Sequence, residues 1–151
     1  MKVHLKIEEQ YTELEVHIHT NEYTDKVAQL VESLKTPKVS VIEGYDVEGI
    51  FLVKPQDIYT IYAEDNKVFL QLDEAEYETK YKIYELEAMF EDDFIRASKS
   101  ILIQLNRITS IQFRALSSTV AVLSNGVEVP ISRKYLKLLK ERLMLRRGKH
   151  A

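Results

Sequence analysis

FIRASKSILIQLNRI, residues 94–108, is the stretch that decides the fold. From Ile101 to Asn106 the residues alternate as in a β-strand with one wholly apolar face and one partly polar face. The preceding segment, Arg96–Ser100, is small, polar and cationic. Cationic and hydroxyl groups of this kind suit contact with phosphates and base edges. The stretch therefore predicts a strand entered through an anion-binding loop.

The composition excludes several classes of protein. The chain has 151 residues and no cysteine, so disulfides, thiol catalysis and zinc–thiolate sites are excluded. No apolar run has the length of a membrane span and no signal peptide opens the chain, so we expect a cytoplasmic protein. The sequence contains no nucleophile–base pair, glycine-rich phosphate loop or cluster of metal ligands, which predicts that it is not an enzyme and needs no cofactor.

The net charge of −3 conceals two halves of opposite sign. From Arg96 onward there are 12 Lys and Arg against 2 Asp and Glu, a balance of +10; residues 1–95 hold 9 and 22, a balance of −13. This asymmetry favours a basic working end on an acidic body. Ordinary solvated surface charge is the alternative.

Residues 1–46 predict a small ββαβ unit for regulation or dimerisation. Apolar residues alternate over 2–8 and again over 13–19, and a helical stripe follows between Tyr23 and Lys35. The last strand of this unit is expected over Lys38–Glu43. His17 and His19 share one strand face and raise the question of a metal, but two ligands without a third favour a plain polar face.

Residues 47–151 predict a second domain of short strands with two helices. The first helix spans Tyr84–Phe90, and the last runs from Arg133 to about Arg147 behind a Ser132 cap. Arg133 and Lys134 stand at the start of that helix, where the helix dipole disfavours cations, so an anionic partner is expected there. Arg96 has a structural alternative, an ion pair with Asp92 or Asp93.

Two motifs in this order resemble the LytTR DNA-binding domain of bacterial transcription regulators. The first comprises Leu86-Glu87, Phe94-Ile95-Arg96, Ser100 and Ile108; the second is Pro130-Ile-Ser-Arg-Lys-Tyr135. The resemblance extends from about Gly49 to Arg147. It implies a mainly β protein with short helices (α+β), an elongated fold of ten antiparallel strands in three small sheets. It also implies that loops, set into successive major grooves, bind direct repeats of double-stranded DNA.

Carried over by position, the resemblance gives three sets of DNA contacts. The first is Arg96, Ser98, Lys99 and Ser100, the second is Ser132, Arg133 and Lys134, and a weaker third is the turn at Asn66 and Lys67. Three positions depart from the family's pattern. Ser98 stands where the family usually has histidine, Lys99 where it usually has arginine or asparagine, and Gln104 where it usually has asparagine. Lysine lacks the planar fork that binds guanine through two hydrogen bonds, so we expect a different base preference.

The resulting hypothesis is a sequence-specific transcription regulator without a phosphoacceptor domain. The alternative is a protein-interaction module whose basic half docks on an acidic or membrane-protein partner. The sequence leaves open a homodimer. By analogy with the family, it also leaves open a membrane-bound inhibitor protein.

Overall fold

The chain divides into two units, Met1–Lys38 and Val39–Ala151. The structure, a computed structural model, describes residues 1–35 and 41–149, with side chains up to 144. Each unit is described by itself below.

The first unit contains one helix, α1 (Asp25–Lys35), preceded by an extended segment. Thr24 Oγ1 accepts a hydrogen bond from Val27 N at 3.3 Å and so caps the helix start. The strands expected over 2–8 and 13–19 do not form among the described residues of this unit. Their apolar side chains are exposed, because a strand needs a neighbouring strand to satisfy its backbone and cover its face. The strand expected over Lys38–Glu43 begins outside the described residues.

The second unit is built on a seven-stranded antiparallel sheet in the order β2-β1-β5-β4-β3-β7-β6. Its strands are β1 (Ile42–Asp46), β2 (Gly49–Val53), β3 (Thr60–Glu64), β4 (Lys67–Gln71), β5 (Glu76–Thr79), β6 (Phe94–Ser98) and β7 (Ile101–Gln104). Strand β1 pairs with both β2 and β5, so residues 42–46 belong to this sheet and not to an N-terminal ββαβ unit.

A smaller sheet and two helices complete the unit. The three-stranded sheet has the order β10-β9-β8, with strands β8 (Ile108–Phe113), β9 (Thr119–Leu123) and β10 (Glu128–Pro130). Pro130 lies on an edge strand, where its missing N–H costs no ladder bond. Helix α2 spans Ile83–Met89 and α3 spans Arg133–Lys149. The described residues thus contain ten antiparallel strands and short helices, as predicted, arranged in two sheets instead of three.

The large sheet is buried on both faces near its β6–β7 edge. Leu102 packs with Leu86 of α2 and Phe94 in one apolar cluster. Its neighbour Ile103 points the other way and packs with Leu139 of α3 and with the small sheet. The strand face that carries Leu102, which was expected to be partly polar, is therefore covered as well as the apolar face that carries Ile103. The strand expected to continue to Asn106 ends at Gln104, and Leu105–Arg107 forms a 3-10 turn.

Candidate nucleic-acid interface

The β6–β7 hairpin carries the first predicted contact set. We expected a loop over residues 96–100, but β6 extends to Ser98 and leaves Lys99 and Ser100 as the turn. Lys99 is exposed, whereas Ser98 and Ser100 are half-buried. The Ser98 hydroxyl faces the Ser100 amide at 3.4 Å, across the turn. Lys99 is thus the member of this set that extends furthest into solvent.

Arg96 is tied into the protein. Its Nε lies 2.8 Å from Glu87 Oε2, its guanidinium also donates to the Lys99 carbonyl, and its side chain is 13% exposed. The expected partners, Asp92 and Asp93, are wrong. Arg96 follows Phe94 by two residues on a strand and so points to the same face, toward α2, which carries Glu87. Sequence reasoning missed Glu87; the alternation of Phe94 and Arg96 beside the Leu86 helix was the available signal.

The second predicted set lies directly beside the first. Ser132 N donates a hydrogen bond to Ala97 O at 2.8 Å, which joins the segment entering α3 to the middle of β6. Ala97 is fully buried at this junction, between Arg96 and Ser98, which are both half-buried. Two groups of residues that are distant in sequence therefore meet at one place.

Arg133 and Lys134 occupy the first turn of α3 and are exposed. No acidic residue stands in that turn, and neither cation forms an ion pair with a described residue. Lys134 Nζ lies 5.5 Å from the centroid of the Tyr135 ring. Two cations at the positive end of a helix dipole lack the compensation that an anion would supply.

The third predicted set occupies the β3–β4 turn at the same end of the large sheet. Ala63 N, close to the end of β3, donates to Ser100 O at 2.8 Å, so this turn and the β6–β7 turn are neighbours. Asp65 and Asn66 have φ values of 51° and 64°, as in a two-residue hairpin turn. Asn66 therefore also has a conformational role. Glu64 and Asp65 offset the charge of Lys67, which makes this set weaker than the others.

Gln104 does not lie on the interface. Its side chain is buried, and Nε2 donates to the carbonyls of Pro55 at 2.9 Å and Ile58 at 2.5 Å. Gln104, which stands where the family usually has asparagine, therefore has a structural role, joining the end of β7 to the 3-10 turn Pro55–Asp57. Among the described residues no group of three or more His, Asp or Glu is placed to hold a metal. No helix within the same residues is long and apolar enough to cross a membrane.

Comparisons with known proteins agree with this architecture. The LytTr DNA-binding domain family matches residues 48–144. A sensory transduction protein LytT from Enterococcus faecalis is 30% identical over 112 residues, covering 74% of this chain and 46% of that protein, so the chain spans less than half of that relative. An HTH-type transcriptional regulator from Staphylococcus aureus (strain NCTC 8325 / PS 47) is 27% identical, covering 96% of this chain and 99% of that protein. A solved LytTr DNA-binding domain from Bacillus cereus superposes with a TM-score of 0.64 at 27% identity, covering 69% of this chain and 96% of that one.

Proposed function

We propose that this chain, which belongs to the LytTR family of DNA-binding domains, is a transcription regulator that binds direct repeats of double-stranded DNA through loops in the major groove. The observation that carries the proposal is the hydrogen bond from Ser132 N to Ala97 O at 2.8 Å. It sets the Lys99 turn and the start of α3 side by side on one surface. We call the predicted contact residues on this surface the basic ridge: Ser98, Lys99, Ser100, Ser132, Arg133 and Lys134.

The chemistry of the basic ridge fits a polyanion. Lys99 and Lys134 are exposed and can neutralise phosphates, and each phosphate neutralised releases counterions. The first N–H groups of α3 have no acceptor within the helix, so with the Ser132 hydroxyl they can donate to a phosphate oxygen. Arg133 is exposed beside them and can bind the O6 and N7 atoms of guanine through two hydrogen bonds.

Two further parts of the predicted site have supporting roles in this proposal. Arg96 positions the β6–β7 turn, because its guanidinium is held by Glu87 and itself holds the Lys99 carbonyl. Asn66 and Lys67 flank the basic ridge at the end of the large sheet and add one contact to the DNA backbone. Loop contacts of this kind fix the register of a protein on the duplex, and Arg133 supplies the base contact.

The test is binding to duplex DNA across a salt series, followed by fluorescence anisotropy, with the promoter of the chain's own gene as the first duplex. We expect affinity to fall steeply as salt rises, with a slope of about −0.9 per phosphate contact. Arg133→Ala should cost about 1–3 kcal/mol on the specific duplex. Arg133→Lys keeps the charge but removes the fork, so it should lose sequence preference while retaining most non-specific binding.

Matched controls make the outcome decisive. Lys26→Ala removes a cation from α1, in the other unit, and should leave the salt slope unchanged. Circular dichroism of each variant establishes that the fold is intact. Binding that is indifferent to salt, or equal losses for Lys26→Ala and Arg133→Ala, would contradict the assignment of the basic ridge.

A further inference from the structure

The segment before α1 has the pattern of two strands, but within residues 1–35 and 41–149 it pairs with no strand. Val3, Leu5 and Ile7 are each more than 80% exposed, and Leu14 is 95% exposed. The alternation itself is present in the structure: Lys6 contacts Glu8 at 3.2 Å and Glu15 contacts His17 at 3.0 Å, so residues two apart point to the same side. Apolar side chains on one face and charged ones on the other describe a strand that lacks its sheet.

The sequence 13–19, ELEVHIH, is complementary to itself when two copies run antiparallel. With Val16 opposite Val16 on a two-fold axis, Leu14 lies opposite Ile18 on the apolar face. On the polar face Glu13 then lies opposite His19, and Glu15 opposite His17. Each is a carboxylate facing an imidazole that can donate a hydrogen bond.

This register is distinguished from its neighbours by charge. Sliding the pair by two residues in one direction places Glu15 opposite Glu15, and sliding it in the other places His17 opposite His17. Both slides halve the number of carboxylate–imidazole pairs, and the first also sets two carboxylates directly opposite each other, which destabilises a strand pair. A one-residue slip would bring apolar side chains opposite charged ones. The complementary register is therefore the one that satisfies both faces.

We propose that residues 13–19 of two copies of this chain pair as antiparallel strands and form a homodimer. Residues 2–8 fold back on each as outer strands, because the turn closed by the hydrogen bond from Tyr11 N to Glu8 O, at 3.3 Å, sets Val3, Leu5 and Ile7 beside the apolar face. Two copies then make four strands, enough for a stable sheet, where a lone two-stranded ribbon would be marginal. The apolar stripe of α1 (Val27, Leu30, Val31 and Leu34) is available to cover the shared face.

Self-pairing is favoured over a different protein because the complementary surface is already encoded in the same seven residues. A two-fold interface requires residue i to meet residue j and residue j to meet residue i, and the two carboxylate–imidazole pairs fulfil this requirement twice. The proposal concerns residues outside the basic ridge, so it stands or falls separately from DNA binding.

The test uses the absence of native cysteine in the full chain. Val16→Cys places its thiol opposite its own copy, about 4.5–5.5 Å away between Cα atoms, within reach of a disulfide. Leu14→Cys is the matched control, because its copies lie about 14 Å apart at roughly 3.4 Å per residue. Under mild oxidation we expect Val16→Cys to become a covalent dimer, Leu14→Cys to stay uncrosslinked, and Leu14→Cys mixed with Ile18→Cys to crosslink.

A charge exchange tests the pairing without cysteine. Glu15→Lys removes the carboxylate that faces His17, and His17→Glu sets two carboxylates opposite each other, so each should raise the dimer dissociation constant roughly two- to thirtyfold in sedimentation equilibrium. The double variant restores opposite charges and should recover the dimer. Residues 13–19 are all exposed in the single chain, so none of these substitutions disturbs a core. A wild-type chain that sediments as a monomer, or equal crosslinking of Val16→Cys and Leu14→Cys, would overturn the proposal.

Discussion

Replacing Gln104 with methionine separates a structural role at this position from a base-reading one. Methionine keeps the length and the unbranched shape but removes the amide. In the folded protein Gln104 Nε2 donates to Pro55 O at 2.9 Å and Ile58 O at 2.5 Å, with a longer contact of 3.3 Å to Gln56 O. The contacts to Pro55 O and Ile58 O are buried, where water cannot replace the lost donor, and the contact to Gln56 O is half-buried.

The expected cost follows from counting those acceptors. Pro55 O keeps a bond from Ile58 N at 3.1 Å, and Gln56 O keeps one from Arg107 at 2.8 Å. The Ile58 carbonyl loses its closest donor. Two lost hydrogen bonds at about 1 kcal/mol each, with a penalty of about 1–3 kcal/mol for an unsatisfied buried acceptor, give a total of roughly 3–5 kcal/mol.

Urea denaturation followed by far-ultraviolet circular dichroism measures this loss. With a slope of about 2 kcal/mol per molar urea, the midpoint should fall by about 1.5–2.5 M. The matched control is Gln112→Met on β8, whose amide donates to Ser110 Oγ at 3.1 Å in a half-buried contact and accepts from Arg114 in an exposed one. That variant should lose under about 1 kcal/mol.

A DNA-binding measurement distinguishes the structural role of Gln104 from a base-reading one. At a temperature where both proteins are fully folded, Gln104→Met should bind its specific duplex as tightly as the wild-type protein does, because the side chain does not reach the surface. A variant that keeps its urea midpoint but changes its base preference would refute the structural assignment and indicate that Gln104 contacts the bases.

Three further perturbations test other parts of the structure. Lys99→Ala should reduce the slope of log affinity against log salt by about 0.9 and weaken binding evenly across sequences, which a salt titration measures. Burial and the hydrogen bond to Glu76 raise the pKa of Tyr62 from 10.0 to about 12. Between those pH values the unfolded chain releases a proton that the folded chain keeps, so the free energy of unfolding should fall as pH rises, and Tyr62→Phe should remove this part of the fall. Gly44→Ala would place a methyl group 2.7 Å from Tyr77 Cβ, and should cost about 1–3 kcal/mol in urea denaturation.

Local patterns in the sequence were sufficient for much of the second unit. The helix expected over Tyr84–Phe90 is observed as Ile83–Met89, because Ile83, Leu86 and Phe90 follow at helical spacing and pack in one apolar cluster. The hairpin turns near Asn66 and Gly126 follow from residues that tolerate positive φ. The fold class follows from these short elements, since each is bounded by a turn signal of its own.

Pairing is where sequence reasoning failed. Alternation over residues 2–8 and 13–19 is typical of strands, but a strand forms only where a neighbour supplies hydrogen bonds, and the pattern does not say which neighbour. For the same reason the sequence did not reveal that residues 42–46 belong to the large sheet, because their partner strands lie later in the chain. Asp92 or Asp93 was the expected partner of Arg96, whereas the face of β6 on which Arg96 lies directs it toward Glu87 of α2.

The candidate interface depends on the same kind of long-range information. Residue types alone indicated two cationic groups, and nothing in their spacing required them to meet. They meet because Ala97 is small enough to be fully buried under the start of α3, which brings Ser132 N within 2.8 Å of its carbonyl. A larger side chain at position 97 would collide with the start of α3 and push it away from the β6–β7 turn. The charge of the basic ridge is therefore a property of the sequence, but its shape is set by one small residue that carries no charge.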